Sequence, residues 1–332
     1  MKLTPSKLRQ IIRGEVIAAL RESVTPRKRG LTSFIFEDAS PDKVDLPTNL
    51  SDIAKDAEKM KARVAAGDDD VDGGSGDDVI KSNKTGVPVT ELKPSQSTMD
   101  VKKAVQFSFS ALLKTNPMPG GPGGDVGAVI SNDRHIMDGH HRWIASLMTD
   151  PASSMTGPVV NFPASKLIPV LNLLTVGMFG RTKGNPGEGA FTDFNKEKLK
   201  PIIKDILEKG YWAPGASPEK CKAVAVEFTG LDADDDNDKI ADAMADKMVK
   251  NINSSGSNWK TLPDGAPPRD QMPVINADEV DKAAAALSSG QVDVNPPYGG
   301  EKEEEKKPEN AGRLRRGEVV VERWQKLAGL IK

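Results

Sequence analysis

The three histidines of this chain fall within seven residues of one another, at His135, His140 and His141. The stretch Ile136-Met-Asp-Gly-His-His-Arg-Trp-Ile-Ala145 reads as a strand that passes into a helix across Gly139. Such a turn leaves the first backbone N–H groups of the helix free and points the positive end of its dipole at the turn. An anion, above all a phosphate, is the natural occupant. Arg142 would add a bidentate phosphate contact, and His140 or His141 a further donor or a proton-transfer group. Asp138 would orient a histidine or help to hold a metal-bound nucleotide.

Two plainer readings stand beside this one. In the first, Asp138 and Gly139 only make the turn, and the histidines sit on a solvated helix start. In the second, Asp133, His135, Asp138 and His140 supply donors to zinc. Their spacing follows no standard zinc pattern, and adjacent His140 and His141 cannot easily face one ion. No metal ligands are therefore assigned.

The elements that must position these residues follow from periodicity. Val87–Leu92 has strand character, and Met99–Lys114 has helical spacing. A Pro/Gly loop fills 117–124, and Val126–Ile130 with Arg134–Met137 reads as a hairpin around Asn132-Asp133. A helix follows His141 to about Met148, then a strand at Val159–Phe162 and a helix at Lys166–Leu174. This order is that of a small α/β domain. Beyond the glycine-rich Arg181–Gly189, helices are predicted at Lys196–Lys209, Pro218–Phe228 and Asp238–Asn251.

The segment Val87–Pro163 resembles the ParB/sulfiredoxin superfamily, in which a Gly-x-x-Arg turn opening a helix grips the phosphates of a nucleotide. Gly139-His-His-Arg142 is that turn here. Val87-Pro-Val-Thr-Glu-Leu-Lys-Pro-Ser-Gln96 is similar to the family's first strand and its Pro-containing turn. Asp100-Val-Lys-Lys103 is similar to its Asp-x-x-Lys, whose lysine faces the phosphates, and Gly157-Pro-Val-Val-Asn-Phe-Pro163 to the strand after the motif helix. The resemblance implies that Lys103, Asp138, Gly139, His140, His141 and Arg142 contact nucleotide. His140 stands where sulfiredoxins carry cysteine, and the single Cys221 is remote, so sulfinic-acid repair is not expected. The Gly-Glu-Arg-Arg box and helix-turn-helix of partition proteins are also missing. The Asp-Gly-His-His-Arg form looks most like the ParB-like nuclease branch and the free-serine kinases on the same fold. Glu91 is the carboxylate nearest the expected edge of the site, and serves as the candidate base.

Composition sets the limits. Of 332 residues, 37% are apolar and 5% aromatic, which predicts one modest core and much solvated chain. A net charge of −2 excludes a whole-protein basic field for nucleic acid. With one cysteine no internal disulfide can form, and no apolar run approaches the roughly 18 residues of a membrane span. The expected setting is cytoplasmic, in a host cell or packaged in a virion if phage-encoded. The opening Met1–Arg13 resembles the first segment of many proteins of large marine tailed phages, where such a helix, ending here at Glu15, can be a cleaved targeting tag.

Weaker signals resolve to plain roles. Asp68–Gly73 imitates an EF-hand start but carries Val79 at the twelfth position, so it reads as an acidic linker. Asp232–Asp238 fails the same test and reads as a helix cap. Pro117–Gly124 has no lysine and is no P-loop. Arg181 and Lys183 sit on a loop that could close on a phosphate.

The sequence thus predicts an α/β fold: a ParB/sulfiredoxin-like domain at 85–175 with a mainly helical C-terminal extension and disordered linkers. An amphipathic helix occupies 1–23, a linker with a short helix 24–84, a helical region 190–253, a flexible linker 254–312, and a basic amphipathic helix 313–332. The expected activity is nucleotide binding, ATP or CTP with Mg²⁺, followed by hydrolysis or phosphotransfer with His140, His141 and Glu91 as catalytic candidates. The alternatives are a nuclease cutting phosphodiesters, and a non-catalytic phage or plasmid accessory protein that binds nucleotide, DNA or an assembly. A protein partner or self-association would run through the terminal helices.

Overall fold

The structure is a computed structural model and describes residues 44, 46–65, 78–115, 118, 127–276 and 279–294. The two terminal helices, the 117–124 loop apart from Met118, and the EF-hand-like Asp68–Gly73 lie outside the described residues.

Five strands form a mixed sheet: β1 Ser82–Pro88, β2 Lys93–Pro94, β3 Val129–Ser131, β4 His135–Asp138 and β5 Ser154–Val160. Their order is β1-β5-β3-β4-β2. β1 pairs antiparallel with β5 from Ser82↔Val160 to Pro88↔Ser154, while β3 runs parallel to β5 and antiparallel to β4. β2 is parallel to β4 through Lys93↔His135 and Pro94↔Ile136.

The β3–β4 hairpin is the one the sequence indicates, and its turn shows why. Ser131 Oγ donates to Asp133 Oδ1 at 2.5 Å, His135 N donates to Ser131 Oγ at 2.9 Å, and Arg134 takes a left-handed φ of 72°. Asp133 also accepts from Ala164 N and lies 3.3 Å from His135 Nδ1. Burial alone would push its carboxyl up, but His135, Ser131 and Ala164 together hold it down at about 2. His135 is thus part of a buried turn, apart from the other two histidines.

Two strands sit earlier than periodicity suggested. β1 ends at Pro88, and Val89–Glu91 is a 3₁₀ turn whose Val89 is buried along with Val87 and Leu92. β5 begins at Ser154, its first half disguised by Gly157 and Pro158, residues that strand patterns normally exclude.

The helices are α1 Leu50–Ala54, α2 Ala57–Ala65, α3 Val101–Leu113, α4 His140–Thr149 and α5 Ala164–Leu173, with α6 Lys196–Lys209, α7 Pro218–Thr229, α8 Asn237–Asn253 and α9 Val280–Ser289. Caps account for several starts. Asp100, Asn195, Ser217 and Asp236 each accept from the backbone N–H three residues on. Asp236 confirms that the acidic run before α8 is a cap. Trp143 of α4 is fully buried and its indole N–H donates to Val89 O at 2.9 Å, locking the helix against the 3₁₀ turn.

The expected partition into domain and linkers does not hold for the described residues. Leu199, Ile203, Ile206, Met244 and Met248 of the helical region share one apolar cluster with Phe109, Trp143 and Leu147. Leu50, Ile53 and Met60, expected in a linker, are fully buried. Residues 254–294, expected as a flexible linker apart from a short helix near 278–288, are folded onto the sheet, and α9 supplies that helix. Trp259, Met272, Val292 and Val294 are buried, Asn258 Nδ2 donates to Thr90 O at 2.9 Å, and Ser97 N to Pro267 O at 2.9 Å. Their Pro, Gly and Ser content suits an extended strap that crosses the surface and is pinned at intervals. No helix among the described residues is long and apolar enough to cross a membrane.

Candidate functional site

At the end of β4 the chain passes through Asp138 and Gly139 into α4. Gly139 has φ +100°, and it is the helix N-cap. A Cβ there would lie 3.1 Å from Gly127 O and 3.2 Å from Arg142 Nη2. Gly139→Ala should therefore cost about 1–3 kcal/mol in chemical denaturation, from left-handed strain added to a tight contact. An alanine variant as stable as the parent would contradict this geometry.

The turn opens into a cavity of about 220 Å³ lined by Gln96, Lys103, Phe107, Met137, Asp138, Gly139, His140, His141, Arg142, Asn185, Arg269, Met272 and Pro273. All six residues expected to contact nucleotide are present. Lys103 comes from the first turn of α3, where Asp100 caps the helix through Lys103 N at 2.9 Å. Its ammonium is held below its ordinary pKa by burial, then by Arg269 and Arg142, with Asp100 opposing. Arg142 is partly committed: Nε and Nη2 donate to Gly127 O at 3.1 and 2.9 Å, and Nη2 to Asp138 Oδ2 at 2.9 Å.

Arg269 is the residue that sequence reasoning missed. It sits in the strap, among Pro-Pro-Arg-Asp-Gln, where nothing local marks a site. Its backbone N–H donates to Thr98 Oγ1 at 2.9 Å and its guanidinium to Pro186 O, which fixes it over the cavity. Burial weighs against its charge, and Asp100 is the carboxylate that opposes this. From the glycine-rich loop the cavity receives Asn185, not the cations considered earlier. Arg181 is tied to Glu279 by two contacts of 2.7 Å.

The histidines are buried and neutral. His140 Nε2 accepts from Ser95 N at 3.1 Å and lies 3.2 Å from Ser95 Oγ, which itself donates to Ile136 O at 2.5 Å. An Nε2 that accepts from a backbone amide carries no proton. His140 is pushed down to about 3, first by burial and then by Arg269, His135 and Arg142. His141 falls to about 2, first by burial and then by Arg269, Lys103, His140 and Arg142. Its ring is tilted against Phe107 with centroids 5.9 Å apart. Rings so hard to protonate are poor general bases near neutral pH.

Two nitrogens of lining residues are buried without a partner. Gln96 Nε2 and His141 Nε2 find no hydrogen-bond partner among the described residues.

Glu91 is not brought to the cavity. It is exposed at the end of the Val89–Glu91 turn, whose carbonyls are already engaged by Trp143 and Asn258. That turn packs against α4, and Glu91 is not among the lining residues. Asp138 is the only carboxylate among them.

No family model, curated protein or solved structure matches this chain. The resemblance to the ParB/sulfiredoxin superfamily therefore rests on the motif residues alone. The geometry of the cavity carries the functional reading.

Proposed function

We propose that this protein binds a phosphate-bearing ligand, a nucleotide in the first instance, in the cavity at the start of α4. The observation that carries the reading is convergence. Three cations, Lys103, Arg142 and Arg269, share one small cavity with a helix N-terminus and the buried side chains of Gln96 and His141. Like charges are costly to gather without a counter-charge, and a phosphate supplies one together with several acceptor oxygens.

Binding is better supported than turnover. The resemblance implies Mg²⁺, but the lining offers one carboxylate, Asp138, already paired with Arg142 at 2.9 Å. Hard divalent cations take oxygen ligands, and one engaged carboxylate among three cations does not make a protein-held magnesium site. Among the described residues no cluster of acidic, His or Cys side chains suits a metal. We derive no hydrolytic step, and nothing in the cavity favours phosphodiester cleavage over simple retention of the ligand.

The test is a thermal-shift screen of the full chain with ATP, CTP, GTP and their diphosphates, with and without Mg²⁺. At a hundredfold excess over Kd a ligand stabilises by about 2.7 kcal/mol, which moves the midpoint by degrees. We expect such a shift for at least one nucleotide in the parent and its loss in Arg142→Ala. Absence of any shift, or a shift that Arg142→Ala leaves intact, would sink this reading.

A further inference from the structure

Beside the cationic cavity lies a second chamber of different character. Met137, Asp138, Asn185 and Pro273 wall both. The second chamber measures about 160 Å³, and its remaining walls are mainly aliphatic, with Val129, Val160, Leu171, Ile275, Ala284 and Leu287 among them. Polar groups are few, Asn185 and Asn276 supplying side-chain amides.

One segment builds a wall of each compartment. The strap brings Arg269 to the anion cavity, and its next residues, Pro273–Asn276, run along the chamber before α9 closes it with Ala283, Ala284 and Leu287. It is fastened at Val274, whose N–H donates to Thr175 Oγ1 at 3.0 Å and whose carbonyl accepts from Arg181 at 3.2 Å. The Arg181–Glu279 pair bolts the start of α9 to the glycine-rich loop at 2.7 Å. The two compartments are therefore held in fixed relation.

From this we infer that the chamber is a second subsite, which receives one ring-sized apolar or heteroaromatic group of the same ligand whose phosphate occupies the cationic cavity. The inference rests on the phosphate-binding reading above. Size selects the occupant. An apolar cavity of about 150 Å³ accommodates benzene, so the 160 Å³ here suits a single ring. Chemistry agrees, because apolar walls with a few placed amides are what ligand sites use to orient a flat group. The two chambers share Met137, Asp138, Asn185 and Pro273, so a ligand with a phosphate in one and a ring in the other would pass these residues. The ligand class is thus an aryl or heterocyclic phosphate ester, and inorganic phosphate fills only half of the site.

The experiment compares inorganic phosphate with phenyl phosphate on the full chain by calorimetric titration. Phenyl phosphate should bind at least about tenfold more tightly, equivalent to about 1.4 kcal/mol. Ala284→Trp on the exposed side of α9 and Val129→Phe on the sheet wall should each remove that advantage while leaving phosphate affinity unchanged. They act from opposite walls, so misfolding of one does not decide the matter. Equal affinity of the two ligands for the parent protein would overturn the second subsite while leaving the phosphate cavity standing. If phosphate itself does not bind, or binds equally well to Arg269→Ala, the cationic cavity falls and the chamber with it.

Discussion

Arg269→Ala is expected to weaken binding of the phosphate ligand by about a hundredfold, with little change in the stability of the empty protein. The guanidinium is half-buried over the cavity, where a charged hydrogen bond to an anion contributes about 1.5–3 kcal/mol. Removing it also removes the charge that acts most strongly on both buried histidines. The backbone N–H to Thr98 Oγ1 survives the substitution, as do the anchors at Ser97–Pro267 and Arg181–Glu279, so the strap stays in place. The guanidinium contact with Pro186 O is lost, at about 1 kcal/mol or less, since that residue is exposed. Arg269→Lys should recover part of the affinity by restoring charge without the planar fork. Titration of the three proteins with the same nucleotide at fixed ionic strength reads the effect. An unchanged Kd in the alanine variant would show that the strap only covers the cavity.

That residue also marks the boundary of what the sequence discloses. The strand–glycine–helix turn at Gly139–Arg142 is legible because its signal is local: a glycine between a strand and a helix, with a basic residue one turn on. Lys103 followed from the resemblance of Asp100-Val-Lys-Lys103 to an Asp-x-x-Lys, again within one turn. Arg269, Gln96 and Asn185 arrive from other segments, and their types carry no mark in their own surroundings. Gln96 is a buried amide that looks like any turn residue in the run Lys93-Pro-Ser-Gln96. The strap as a whole was misread for a physical reason. Its order comes from anchors spaced several residues apart, such as Trp259, Met272 and Val294, and not from a periodic face. Sparse anchors in a Pro- and Gly-rich chain give no period for sequence analysis to find. Glu91 erred in the opposite direction, since nearness in the family order does not fix which side of a 3₁₀ turn its carboxylate leaves.

The acid response of the protein should be set by His140 and His141. Both have an ordinary value of 6.5 and are depressed in the folded state, to about 3 and about 2. Below about pH 6.5 the unfolded chain binds two protons that the folded chain refuses, so stability falls as pH falls. Above that pH both states are neutral at these rings and stability is flat. The slope is about 1.4 kcal/mol per pH unit for each histidine, so roughly 2–3 kcal/mol should be lost between pH 7.5 and 5.5. Asp133 acts in a separate window, because its contribution is present above its ordinary value of 3.8 and disappears only as pH falls towards about 2. Urea denaturation at pH 7.5, 6.5 and 5.5 measures the effect, and His141→Gln should reduce the slope by about one proton. A bound phosphate opposes the loss, since a dianion beside Gln96, His141 and Arg269 favours protonated rings. The ligand should accordingly stabilise more at pH 5.5 than at pH 7.5, provided it stays ionised. Stability independent of pH across this range would mean that the rings are hydrated in solution, and the cavity more open than its buried nitrogens indicate.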